Sequence, residues 1–125
     1  MKNLVFILFL FLGQEVSAQD FIGLLQSNAF NKLETHLNTT VNIEIRRKKS
    51  TVSKTKAIGL LRAHLEEFKP VKWEVMHKGN NEESNDKYVI ANIYNAEENG
   101  IRMFMHVESI NGKSKVSSIR IRKLL

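Results

Sequence analysis

Apolar residues in the first half of the chain recur at helical spacing. Between Phe21 and Leu37 they form two short stripes, with Asn28 between the stripes as a candidate cap for the second. The clearest helical pattern is SKTKAIGLLRAHLEEF at residues 53–68, where apolar side chains fall at i, i+3, i+7 and i+10 and Pro70 follows. This spacing predicts two short helices and one long helix.

Alternation of apolar and polar positions predicts strands in the rest of the chain. One such run, Val41–Ile45, precedes the long helix, and four more follow it, at residues 71–76, 88–94, 101–107 and 118–122. The run YVIANIY at 88–94 is apolar on both faces, which indicates a central strand, and Asn111-Gly112 is a strong hairpin signal. The order predicts an α+β fold, with N-terminal helices packed on a curved antiparallel sheet of four to five strands.

The N-terminus has the layout of a secretory signal peptide. Lys2 precedes an uninterrupted apolar run from Leu4 to Leu12, and the small residues Ser17 and Ala18 follow, as is typical of a cleavage site. The run is shorter than the roughly 20 residues of a membrane-spanning helix. We therefore predict a signal peptide over residues 1–18, one domain over residues 19–125, and a periplasmic or secreted protein.

Composition narrows the chemistry further. The chain has no cysteine, which excludes disulfides, thiolate metal sites and cysteine nucleophiles. Its net charge of +6 favours anionic neighbours such as phospholipid headgroups, acidic glycans or acidic proteins.

Two basic segments are candidates for binding anions. They join into one patch if the first and last strands are neighbours, and their members are Arg46, Arg47, Lys48, Lys49, Arg120 and Arg122. No aromatic residue lies between Phe30 and Phe68 to stack on bases, which argues against nucleic acid. The interpretation is a solvated strand end that also contacts an anionic envelope surface.

Histidines and aromatic residues near the long helix are the candidates for a ligand pocket. His64 lies beside the apolar stripe of the helix, and His77 shares strand parity with Trp73. Tyr88 lies on the polar face of the predicted central strand. No two histidines lie within four residues of each other, so no metal site is predicted. The acidic residues do not lie on the apolar faces that would line a pocket. We therefore assign no catalytic residue, and we assign no cofactor.

An apolar patch on the second face of the sheet is a candidate subunit contact. Phe104 alternates with Met103 and Met105, and Met76 lies opposite Trp73. Exposed apolar residues in a group often mark an interface, whereas single ones are common on any protein. A homodimer through the sheet face is therefore one of the expected partners.

These segments resemble a known fold family. The run Asn28-Ala29…Leu33…Leu37, then Val41-Asn42-Ile43, LLRAHLEEFKPVKWEVMHKG and SSIRIRKL are similar to a family of small exported bacterial proteins with a domain of unknown function. That family resembles the cystatin-like cone of the nuclear-transport-factor-2-like (NTF2-like) superfamily. The superfamily contains isomerases, dehydratases and many non-enzymatic binding or dimerisation modules. The resemblance therefore implies a fold and no particular activity.

Two functional hypotheses follow from these observations. The first is a non-catalytic module of the cell envelope that binds a small apolar ligand or an envelope protein. The second is a small enzyme of the isomerase or dehydratase type, with His64 or His77 as general base and a tyrosine as donor. A filled interior between the helices and the sheet favours the first hypothesis, and a deep cavity with a buried histidine favours the second.

Overall fold

The structure is a computed structural model that describes the backbone of residues 18–81 and 86–124 and the side chains of residues 21–76 and 87–124. The predicted signal peptide lies outside the described residues apart from Ala18, where the first helix begins. Within the described part of the chain, no helix combines the length and apolar character that crossing a membrane requires.

In the part of the chain that the structure describes, three helices form where the apolar spacing predicts them. They are α1 (Ala18–Gln26), α2 (Phe30–Thr35) and α3 (Lys54–Phe68). The predicted cap at Asn28 is wrong: Asn28 adopts a left-handed φ of 59°, and Ala29 occupies the N-cap position without a side-chain hydrogen bond. Helix α3 is capped by Ser53, whose Oγ accepts a hydrogen bond from the Lys56 N–H at 3.3 Å.

The sheet has six strands in the described residues, so the prediction of four to five strands is wrong. The strands are β1 (Leu37–Ile45), β2 (Lys48–Ser53), β3 (Pro70–Asn81), β4 (Asp86–Asn95), β5 (Gly100–Ile110) and β6 (Lys113–Lys123). Their spatial order is β2-β1-β6-β5-β4-β3. Strands β3 to β6 form the predicted antiparallel meander, and β1 pairs parallel to β6.

The strand missing from the prediction is β2, which contains the end of the basic run. Arg46 and Arg47 both have positive φ, at 53° and 68°, and form the two-residue turn of a β1–β2 hairpin. Strand β2 lies at the edge of the sheet and is almost entirely exposed. It needs no apolar alternation, and its lysines are typical of a protected edge.

The core fills the space between the helices and one face of the sheet. Leu61 of α3 is completely buried, as are Val89, Ala91 and Ile93 of β4. Phe68 and Trp73 are partly buried and pack against this core. Strand β4 is internal, as its sequence predicts, although it lies one strand from the β3 edge instead of at the centre.

Strand β3 has a bulge that breaks its alternation. Val75 pairs with Ala91, but the next pairs are His77 with Ile90 and Lys78 with Val89. The extra residue at the bulge shifts the parity of the strand by one position. The prediction that His77 shares the face of Trp73 assumed an uninterrupted alternation, and the side chain of His77 itself lies outside the described residues.

Candidate functional site

Two open clefts lie against the C-terminal half of α3, at the rim of the core. The β1 cleft, of about 470 Å³, has apolar walls from Ile43, Ile45 and Leu60. The β6 cleft, of about 440 Å³, has apolar walls from Phe68, Ile101 and Ile121 and polar groups from Asn95, Asn99, Arg122 and Lys123. Arg46, His64 and Glu67 line both clefts, so the two are adjacent parts of one rim site.

An ion pair between Arg46 and Glu67 separates the two clefts. Arg46 lies in the β1–β2 turn and Glu67 in the last turn of α3, so the pair connects the sheet to the helix. Both side chains are more than half exposed. Because exposed pairs contribute about 0.2–1 kcal/mol, this contact opens and closes at little cost.

His64 has a buried nitrogen without a partner. The Nε2 atom is inaccessible to solvent, and the described residues provide no hydrogen bond for it. A buried polar atom that lacks a partner costs about 1–3 kcal/mol. Such an atom, in a residue that lines two clefts, can accept a hydrogen bond from a ligand or donate one to it once a covering side chain moves aside.

The surroundings of His64 favour its neutral form. Burial lowers the pKa of His64 below 6.5, the positive charge of Arg46 lowers it further, and Glu67 opposes the shift. A neutral imidazole either accepts or donates at Nε2, depending on its tautomer. The site therefore suits a hydroxyl or carboxyl group attached to an apolar body that contacts the walls of the clefts.

The structure describes the side chains of three of the four pocket candidates, and it does not place these three in one pocket. Among the three, only His64 lines the rim clefts. Trp73 packs at the edge of the core, and Tyr88 is exposed on the sheet face away from the helices, where it lines a small groove. The side chain of His77 lies outside the described residues.

The anion-binding candidates divide between the two sides of the sheet. The first and last strands are neighbours, as the basic patch requires, but Arg46 and Lys48 line the rim clefts. Lys49 and Arg120 line a groove on the opposite face, and Arg122 pairs there with Glu44 while also reaching the β6 cleft. Arg47 is exposed in the turn.

Sequence reasoning missed Glu44, Asn95 and Asn99. Alternation places Glu44 on the outer face of β1, yet the residue is only 7% exposed because Arg120 and Arg122 cover it. Asn95 and Asn99 form a tight turn between β4 and β5, and the AEENG segment is the only sign of it in the sequence. Among the described residues, no three histidines, aspartates or glutamates are close enough to hold a metal ion.

Comparison with known proteins identifies relatives of the whole domain. The family model described as "Domain of unknown function (DUF4783)" matches residues 18–122. No curated protein is significantly similar to the chain.

Solved structures of family members share the fold. A DUF4783 protein from Bacteroides ovatus is 21% identical, with a TM-score of 0.74 over 90% of this chain and 99% of that chain. One from Bacteroides fragilis is 23% identical, with a TM-score of 0.68 over 76% of this chain and 87% of that chain.

A more distant structure extends the comparison beyond the family. An NTF2-like protein of unknown function from Cytophaga hutchinsonii is 16% identical, with a TM-score of 0.61 over 90% of this chain and 94% of that chain. At these identities the matches establish the fold alone. They confirm the NTF2-like α+β fold predicted from the sequence.

Proposed function

The chain belongs to the DUF4783 family, and from that premise we propose an exported, non-catalytic module that binds a small amphipathic molecule in the clefts around His64. The family description names no activity, and NTF2-like folds serve many functions. The proposal therefore rests on the rim site. Its export rests on the sequence pattern of residues 1–18, and an envelope protein remains the other class of partner.

The observation that carries the proposal is the buried, unpartnered Nε2 of His64 between two clefts with apolar walls. Once a side chain such as Arg46, whose ion pair with Glu67 is exposed, moves aside, a ligand with a hydroxyl or carboxyl head group would supply the missing hydrogen bond. Its apolar body would cover Leu60, which is 38% exposed. Both effects favour binding. The hydrogen bond gives the buried Nε2 atom a partner, and the apolar body removes the exposed surface of Leu60 from water.

The filled core supports binding over catalysis. Catalysis by general bases gains most in chambers that exclude water, where charges interact strongly. Here the space under the sheet is occupied by side chains such as Leu61, Met103 and Met105, and the clefts around His64 are open to solvent. An open cleft suits reversible uptake of a ligand.

Thermal unfolding with octanoate tests the proposal. Octanoate has a carboxylate and an apolar chain, whereas acetate has the same head group without the chain. A ligand at ten times its Kd stabilises a protein by about 1.4 kcal/mol. We expect octanoate to raise Tm by several degrees, acetate to have no effect, and His64→Gln to weaken octanoate binding at least fivefold.

The control variant is His36→Gln, the same chemical change at a half-buried histidine outside both clefts. It should leave octanoate binding unchanged. Equal loss in both variants, or stabilisation by acetate as well as by octanoate, would contradict the proposal.

A small enzyme is the second candidate, favoured by the lowered pKa of His64, which keeps the imidazole available as a base near neutral pH. However, neither tyrosine lines the rim clefts, so the expected donor is missing from them. If His64 acts as a base, it will speed exchange of the α-protons of 2-octanone with D₂O. We expect proton NMR to show the buffer rate, both with the protein and with His64→Gln; exchange that depends on His64 would establish the enzyme.

A further inference from the structure

Three arginines form a cluster on the outer face of the sheet, the face away from the helices. Arg120 and Arg122 each approach the Glu44 carboxylate through Nε, at 3.6 and 3.5 Å. Arg102 donates from Nε to the Asn92 Oδ1 at 2.9 Å. Each side chain is held at Nε, and the described residues give its terminal nitrogens no hydrogen bond.

The arrangement of this arginine cluster is unfavourable in the free protein. Arg102 and Arg122 are direct partners on neighbouring strands, and like charges in that position destabilise a sheet. Glu44 is the single carboxylate that pairs with the cluster among the described residues, and Arg102 has no ion pair there. The cluster therefore keeps an excess of positive charge that an anion would neutralise.

A groove on the same face passes Arg120, one member of the cluster, and crosses five strands. Its larger part, about 590 Å³, lies over β2, β1 and β6 and is lined by Asn42, Lys49, Ser50 and Thr51. Its smaller part, about 190 Å³, continues over β5 and β4 past Phe104 and Tyr88. Ser118 and Arg120 line both parts. With neighbouring strands about 4.8 Å apart, the groove is roughly 19 Å long.

We propose that this groove binds an acidic oligosaccharide, with Arg120 and Lys49 contacting its carboxylates or sulfates and the other two arginines adding positive charge beside it. Hydroxyl and amide side chains match sugar hydroxyls, and the arginine forks match planar or tetrahedral anions. The length of the groove fits a short chain of sugars better than a single one. This inference does not rest on the proposed function, which concerns the clefts around His64, although Ser50 lines both the groove and the β1 cleft.

The same features disfavour the other occupants of this face. Lipid binding needs a group of exposed apolar side chains, but among the apolar and aromatic side chains in the groove only Tyr88 is exposed. Phe104 and Ile90 are partly buried, and the Arg120 guanidinium lies over the Phe104 ring at 5.6 Å. A symmetric homodimer would bring two arginine clusters together, since the same patch meets itself. The dimer expected from the sequence would therefore have to overcome this repulsion.

Titration calorimetry of the whole chain tests the groove with defined probes. They are an oligogalacturonate, a neutral cello-oligosaccharide of equal length, sodium sulfate and phosphatidylglycerol vesicles. We expect the oligogalacturonate to bind and the other probes to bind at least tenfold more weakly. Lys49→Gln/Arg120→Gln should weaken binding at least tenfold, while Arg122 continues to pair with Glu44.

Two further variants separate groove binding from attraction to net charge. Lys54→Gln/Lys56→Gln makes the same charge change at two exposed residues at the start of α3 and should leave affinity within twofold. Thr51→Ala removes a groove hydroxyl without changing charge and should weaken oligogalacturonate binding threefold or more. Equal losses in the two charge variants, tighter binding to vesicles or sulfate, or no oligogalacturonate binding would overturn the proposal.

Discussion

At the residue scale, Glu44 and His64 both lie against arginines from other parts of the chain. The sequence predicts the direction of each side chain, because alternation and helical spacing are local properties. It does not predict their burial, which depends on residues that are distant in sequence: Arg120 and Arg122 cover Glu44, and Arg46 lies against His64. The direction in which each of these side chains points was therefore predictable from the sequence, whereas its burial and its charged neighbours were not.

The lowered pKa values of two histidines lead us to expect that the protein loses stability in mild acid. Burial lowers the pKa of both His64 and His36 below 6.5, and Lys115 also lowers that of His36. The unfolded chain therefore binds more protons than the folded one, and the free energy of unfolding falls as pH drops below about 6.5. Urea unfolding between pH 8 and 5 should show this fall, and His64→Gln should reduce its slope. An identical slope in the variant would mean that His64 has an ordinary pKa.

At the scale of elements, the two hairpin turns explain why one strand was predicted and the other missed. Asn111 and Gly112 have φ of 52° and 77°. The sequence predicts this turn because asparagine and glycine tolerate positive φ. Arg46 and Arg47 adopt the same type of backbone without either residue. The β1–β2 turn is hidden in the sequence because its conformation is imposed by strand pairing and not by local preference.

The positive φ at both turns predicts that glycine is more favourable than a residue with a side chain at each of them. Arg47→Gly should stabilise the protein by about 0.5–1 kcal/mol, because it relieves a left-handed residue at φ 68°. Gly112→Ala should destabilise it by about 1 kcal/mol, although no atom lies within 4 Å of the added methyl group, because the cost is conformational. Urea unfolding of both variants checks the pair, and destabilisation by Arg47→Gly would show that the arginine makes a contact worth more than the strain.

At the scale of the whole molecule, the parallel pairing of β1 with β6 organises both candidate sites. It joins the two ends of the domain and places Glu44 beside Arg120. The α+β class, the meander and the helix-covered face were predictable from the order of elements. The sequence did not predict that the first and last strands pair; the basic patch was expected only if they did. Residues about eighty positions apart leave no local sequence signal of their contact.

The most direct test of the central claim, that the clefts around His64 form the ligand site, is an NMR titration of the labelled protein with octanoate. The account predicts that the largest shifts occur at the His64 ring nitrogen and at the amides of Ala63 and Gly100, which flank the two clefts. Shifts confined to outer-face residues such as Asn42 and Ser118, with the His64 ring unchanged, would contradict it.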